Sequence, residues 1–537
     1  MNRVAIGLAL ALAMAWASPA LAAEPAKPSA EAAAMTARID KILGSAWTAQ
    51  KITPAENATD AEFLRRVYLD LAGRIPTVTE SRNFLADKGS DKRARLVAQL
   101  LQRPTYARNM TTIWRHLLLP EADTNFQFTF VSLGFETWLR QQFANNVGYD
   151  QMVRDLLTTK IDQESNNRLF DFNNAGQPTA IAYYFAKEAK AENLASSSAR
   201  VFLGLRLECA QCHNHPFATW TRDQFWGLAA FFAGLQSRDR GEGINFPEKE
   251  VLDRRELAIP GTDRVVQAAF PDGTDPEWKF KVGPRQTLGE WVTNKNNPYF
   301  ARATVNRIWA LMFGIGLIEP VDEMVGGQDI KIHHAELLDE LAKAFVAHKF
   351  DLKFIFEAIA NSKAYQLSSR GKGPAPLYSR QLLRGLTGEQ LYDSLYVATG
   401  QPDNQGDDPF AIFRGNNTRG EFIAKFGQQS GKSTEHETSI IQALTLMNGS
   451  FVGAATNPTR SELLSAVLEA PFFDEKTRIE AIYLATVSRM PTEKEMEKVQ
   501  SFIGQSATGD SAKKAHNEAI ADVFWSLINS TEFVFNH

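Results

Sequence analysis

The chain contains two cysteines, Cys209 and Cys212, within Leu-Arg-Leu-Glu-Cys-Ala-Gln-Cys-His-Asn-His-Pro-Phe at residues 205–217. His213 follows Cys212 directly, which completes the pattern C-x-x-C-H. This is the attachment spacing of a c-type haem. Both thiols add to the two vinyl groups of one porphyrin, while the adjacent imidazole turns under the ring to ligate iron. On this reading Cys209, Cys212 and His213 bind the cofactor, with His213 on the iron. The sixth ligand is open among Met324, Met447, His333 and His334, and a methionine there would raise the reduction potential. His215 lies too close to His213 in sequence to reach the opposite face, so it is expected to cap the turn or donate a hydrogen bond nearby, held by Pro216.

Two other chemistries use the same residues. Cys209, Cys212, His213 and His215 place four thiolate and imidazole donors within seven residues, a set suited to zinc or another single metal ion. Donors so close together rarely close a tetrahedron, and His116, His333, His334 and His436 are available as a fifth group. In an oxidising compartment the two cysteines also suit a disulfide or a cycling dithiol. No thioredoxin-like βαβ pattern surrounds them.

The elements that must position this motif read as helices. Phe63, Leu64, Val67, Tyr68 and Leu71 make one apolar face, with Thr59 and Glu62 as a capping box in front of it. After the motif, Trp220, Phe225, Trp226, Phe231 and Phe232 form an aromatic-rich helix, suited to core or to a haem pocket. Val305, Ile308, Trp309 and Met312 form a further stripe behind a first-turn Pro298, and Leu337, Leu341 and Phe345 another. The predicted class is mainly α, with two helical domains and a small β-containing insertion between them. The expected organisation is a signal peptide at 1–22, a linker at 23–57 and a helical domain with the motif at 58–237. An irregular or β insertion at 238–287 and a second helical domain at 288–537 complete it. Strands in the insertion are expected at ELAIP, RVVQAAF and WKFKV.

Other stretches carry weaker signals. Residues 400–438 read as one long glycine- and asparagine-rich loop. GQQSGKST within it lacks the spacing of a phosphate-binding loop. Asp322, Glu323 and Asp329 near His333 and His334 read as a solvated loop rather than a catalytic carboxylate pair. FLRRVYLDLAGRIPTVTE (63–80) and RIEAIYLATVSRMPTEKE (478–495) share Tyr-Leu, an Arg six residues after the Tyr, and x-Pro-Thr-x-x-Glu. The repeat predicts a helix that ends at Arg, a proline stop, and a second helix capped by Thr and Glu.

Residues 1–22 hold one Arg, an apolar run and Ala20-Leu21-Ala22, the order of a secretory signal peptide. Export to the periplasm or a similar space follows, where haem attachment also takes place. No other apolar run is long enough to span a membrane, so no span is expected after cleavage. The 537 residues carry 58 Lys and Arg against 62 Asp and Glu, a net charge of −4. That balance implies no nucleic-acid partner.

The chain resembles a family of exported bacterial proteins, planctomycete-type cytochrome c-like, built from two consecutive domains of unknown function. CAQCHNHPF is the most specific of the matching stretches. RVFLGLRLE, NPYFARATVNRIWALMFGIGLIEPVD, IIQALTLMNGSFV and DVFWSLINSTEFVFNH extend the likeness from about residue 60 to the last residues. The resemblance implies a haem c at Cys209, Cys212 and His213, an unknown redox partner, and an exported sulfatase-like companion protein. The expected function is exported redox or electron transfer in an unknown pathway. The alternative is a haem-free binding or assembly protein whose motif holds a metal ion or a structural disulfide. Whether the protein is an enzyme is left open.

Overall fold

The computed structural model describes residues 28–123, 126–162, 164, 176–215, 218–239, 245–400, 418–425, 447, 449–506 and 512–537. The proposed signal peptide and most of the 400–438 loop, His436 included, lie outside them. Among the described residues the fold is mainly α, with 22 helices and four two-stranded antiparallel sheets. Helices α1 (Ala30–Ala49), α2 (Asp60–Ala72), α3 (Val78–Ala86), α4 (Lys92–Gln102) and α5 (Pro104–Leu118) open the chain. They are followed by α6 (Phe126–Ala144), α7 (Tyr149–Leu157), α8 (Ala182–Ala186), α9 (Ala191–Ser198) and α10 (Arg222–Ala229).

The expected linker is corrected at once. Ser29 caps α1, and Met35, Ile39, Leu43 and Trp47, each four residues apart, bury one stripe of it against α14 (Leu352–Ala360). The Ala, Pro and Ser content of residues 23–34 hides that period. At α2 only half of the expected capping box forms. Thr59 Oγ1 accepts from the Glu62 amide, but the Glu62 carboxylate turns to Arg66 and to the backbone of Ser369.

The insertion contains two hairpins, β1 (Leu235–Asp239) with β2 (Asn245–Glu250), and β3 (Glu256–Ala258) with β4 (Val265–Gln267). The second pair matches the expected ELAIP and RVVQAAF strands. WKFKV is not a strand: the Arg255 guanidinium sits over the Trp278 ring, and Phe280 is 90% exposed. Its alternation arises from one packed and one exposed aromatic rather than from pairing.

Beyond the insertion run α11 (Pro284–Val292), α12 (Phe300–Phe313), α13 (Ala335–Ala347) and α14, with the short pair β5 (Ile318–Glu319) and β6 (Lys331–Ile332) before α13. Pro298 precedes α12 instead of opening it, since Tyr299 is the cap. The segment β7 (Arg384–Gly385) pairs with β8 (Phe535–Asn536). Between them lie α15 (Gly388–Ala398), α16 (Thr418–Lys425), α17 (Ser450–Ala455), α18 (Glu462–Glu469), α19 (Glu475–Thr486), α20 (Glu493–Ser506), α21 (Ala512–Ile528) and α22 (Thr531–Val534).

Among the described residues two apolar cores result. The larger runs from Ala32 to Tyr378 and passes through the insertion without a break, because α12, α13 and α14 pack among the N-terminal helices. The smaller gathers residues from Leu386 to Phe533 and recruits Leu69 of α2 and Ile75 of the turn that follows it. Helix α2 therefore contributes to both cores.

The sequence echo is a structural repeat. Arg74 reaches both oxygens of Glu80, and Arg489 reaches both oxygens of Glu495. Each arginine lies over the tyrosine six residues before it, Tyr68 at 5.5 Å and Tyr483 at 5.6 Å. Both turns need a left-handed residue, supplied by Gly73 at φ 70° in one and Ser488 at φ 61° in the other. Burial works against the Glu80 carboxylate, but Arg74, Arg103 and the Thr77 amide hold it down at about 2. The two units meet: α3 packs on α19, and Arg65 of α2 donates to the carbonyls of Thr486 and Phe533.

Candidate functional site

The motif sits on a single tight turn. Residues Glu208–Gln211 form one turn of 3₁₀-helix, with Cys212 closing it. Cys209 lies inside the turn and Cys212, three positions on, caps it. Both thiols are free and exposed, as is His213. The His213 Nδ1–H donates to the Asn214 carbonyl at 2.7 Å. A carbonyl only accepts, so the proton of the neutral ring is fixed on Nδ1, and Nε2 keeps its lone pair for a ligand.

The turn is anchored from beneath by the aromatic helix. Trp226 of α10 donates its indole N–H to the Gln211 carbonyl at 2.9 Å. The Asn214 side chain accepts from the Arg222 amide at 2.9 Å, which ties the residue after His213 to the start of α10. The His215 amide donates to the Trp220 carbonyl at 2.8 Å and closes the loop between them. The expected role of His215 in capping the turn is thus carried by its backbone. Trp220, Phe225, Trp226, Phe231 and Phe232 are all buried. Beside the turn, Glu208 Oε2 is buried and has no hydrogen-bond partner among the described residues.

A second segment braces the motif. The Met324 amide donates to the Gly204 carbonyl at 2.8 Å, the Thr219 amide to the Gly326 carbonyl at 3.3 Å, and the Trp220 indole to the Val325 carbonyl at 3.3 Å. Residues 324–326 therefore clasp the chain on both sides of the motif. Met324 is buried, and a Cβ at Gly204, where φ is +64°, would come within 3.0 Å of its sulfur. Glycine is required there both for the backbone and for the close approach.

The other candidates are dispersed. Met447 is 48% exposed. His333 and His334 precede α13, where both amides donate to the Leu317 carbonyl and the His334 ring lies against Tyr378. Asp322 pairs with Arg307 at 2.7 Å rather than with another acid. Among the described residues, no group of three or more His, Cys, Asp or Glu is placed to hold a metal ion, and the four donors of the motif do not converge.

Comparison with known families places both halves of this geometry. Residues 38–237 match PSCyt2, a protein of unknown function (DUF1549), and residues 284–503 match PSD1, a protein of unknown function (DUF1553). The chain carries the two domains in succession. No curated protein and no solved structure matches it. The CxxCH turn belongs to the PSCyt2 segment, and the 324–326 clasp that braces it belongs to PSD1.

A second contact between the segments was not legible in the sequence. His116, at the end of α5, donates from Nδ1 to Asp123 at 2.9 Å and from Nε2 to Glu389 of α15 at 2.5 Å. Carboxylates only accept, so an imidazole that meets both is doubly protonated. Burial pulls its pKa down and Arg115, 3.0 Å from Nε2, opposes the charge, but Glu389 and Asp123 raise it to about 9. His116 is therefore committed to an ionic joint and is not a spare ligand for the motif. Glu389 is buried and held below the ordinary carboxylate range by the same contact. A lone histidine 273 positions from its partner gives no local pattern to read.

Proposed function

We propose that the chain is an exported c-type-haem protein of redox or electron-transfer function. Cys209 and Cys212 would hold the haem through two thioether bonds, and His213 Nε2 would ligate its iron. Bound there, the group supplies one-electron transfer. The observation that carries the reading is the state of the turn: two free, exposed thiols three positions apart, followed by an imidazole whose Nδ1 is tied to the Asn214 carbonyl and whose Nε2 has no hydrogen-bond partner among the described residues.

The residues around the turn fit that role by what they do without a ligand. Asn214 fixes the tautomer of His213, Trp226 holds the turn carbonyl, and the 324–326 clasp keeps the chain entering and leaving the motif in register. An ordered turn lowers the entropy lost when both thiols are joined to one rigid partner. The signal peptide supports the reading independently, since attachment takes place outside the cytoplasm. A zinc site draws less support, because the four donors do not converge.

The test is expression with c-type maturation machinery, followed by denaturing electrophoresis and haem peroxidase staining. Wild type is expected to stain at the mature mass, and Cys212→Ser to be exported, folded and unstained. An unstained wild type beside a stained control cytochrome would overturn the proposal.

A further inference from the structure

We propose that Arg307 is the positioning residue of the CxxCH turn, so that the PSD1 segment supplies the contact that presents the motif for haem attachment. The consequence for attachment rests on the haem reading above; the positioning itself rests on the bonds of Arg307.

The motif follows an irregular helix end. Helix α9 runs directly into one turn of π-helix, Ala199–Leu203, which Gly204 closes in the left-handed region at φ 64°. Such turns are rare and recur at functional sites. The Gly204 and Leu205 amides both donate to the Ala199 carbonyl, so the next carbonyls, those of Arg200 and Val201, need a donor from outside the helix. Arg307 of α12 supplies it, with Nη2 donating to them at 3.2 and 3.3 Å. Leu205 and Leu207 are buried, so the chain from this turn to Cys209 is packed as it runs.

The same guanidinium holds the clasp. Its Nη1 pairs with Asp322 at 2.7 Å, two residues before Met324, whose amide donates to the Gly204 carbonyl. Both paired atoms are buried, and neither has a hydrogen-bond partner elsewhere among the described residues, so each charge depends on the other. The neighbouring Asn306 fixes where this loop begins: its Nδ2 donates to the Ile318 carbonyl at 2.7 Å and its Oδ1 accepts from the Ile318 amide at 2.9 Å. Arg307, itself 4% exposed, therefore ties the chain that enters the motif to the loop that closes on Gly204. Its planar fork can meet two carbonyls and a carboxylate at once, which a compact ammonium cannot.

The experiment is amide hydrogen exchange on the full, haem-free chain, paired with covalent haem loading after expression with c-type maturation machinery. In Arg307→Gln, peptides spanning residues 199–213 and 318–326 are expected to exchange about tenfold faster, while α2 and α19 keep wild-type rates. Most of the covalent haem per exported chain should be lost. Asp322→Asn, the milder change, is expected to speed exchange in 318–326 and serves if Arg307→Gln does not fold. Arg65→Gln removes a guanidinium that also donates to two backbone carbonyls, but where α2 meets the C-terminal helices; it should leave both peptides and haem loading as in wild type. The proposal is overturned if the Arg307 and Asp322 variants keep wild-type exchange in both peptides, if exchange rises equally along the whole chain, or if Arg307→Gln loads haem as wild type does. A wild type without haem refutes the haem reading alone, and the exchange rates then decide the role of Arg307.

Discussion

The joint between α5 and α15 predicts an alkaline weakness with one residue behind it. The His116 side chain is 34% exposed while that of Glu389 is 10% exposed, so the pair is only partly withdrawn from water. A pKa raised from 6.5 to about 9 corresponds to about 3 kcal/mol at ~1.4 kcal/mol per unit. Exposure of the ring and screening reduce this to about 1.5 kcal/mol. Because the folded pKa lies above the unfolded one, that stability is fully present below about pH 6.5 and is lost as pH rises through about 9. In His116→Gln, Glu389 loses its cation at every pH. The variant should therefore be less stable than wild type by about 1.5 kcal/mol at pH 6, and the gap should shrink to under about 0.5 kcal/mol at pH 10. Paired urea melts at pH 6, 8 and 10 measure it. A gap of equal size at all three values would refute the ionic joint and leave His116 as a packing residue.

Three further outcomes follow from the repeat and the motif. Glu80→Gln removes a carboxylate held at about 2; its stabilisation exists above about pH 4.5 and is lost as pH falls toward 2, so the variant should lose about 2 kcal/mol at pH 7 and much less near pH 2, read from thermal melts. Gly73→Ala forces a Cβ to 2.7 Å from Asn109 Oδ1 at φ +70° and should cost about 2 kcal/mol, whereas Ser488→Gly at the matching turn should gain about 1 kcal/mol in the same melts. Trp226→Phe deletes the indole hydrogen bond to the Gln211 carbonyl and is expected to lower the fraction of chains that acquire haem, measured by peroxidase staining, while costing about 1 kcal/mol in stability.

The helices were legible where one apolar face repeats at the helical period. The stripes Val305 to Met312 and Leu337 to Phe345 are buried as their spacing implies. The echo between residues 63–80 and 478–495 was legible in its proline stop and its Thr–Glu caps, because capping chemistry is local, whereas the Arg–Glu pairs were not read from it. Helix α1 was not, because alanine and proline around residues 23–34 mask a four-residue period that begins at Met35. WKFKV shows the converse: alternation without a neighbouring strand to pair with produces no sheet. The expected break at 238–287 is a break in pattern and not in the core, since burial is decided by helices that return from beyond it. The site divides in the same way. The candidates Cys209, Cys212 and His213 stand out by spacing, whereas the clasp at 324–326 and the partners of His116 are joined only by the fold.

The central claim concerns bonds at two sulfurs, and the intact mass of the denatured chain after alkylation tests it most directly. Protein exported in the presence of c-type maturation machinery is predicted to carry the mass of one haem and no alkylated thiol at Cys209 or Cys212. A chain with the mass of the bare polypeptide and two alkylated cysteines, from cells that mature a control cytochrome, would contradict the account.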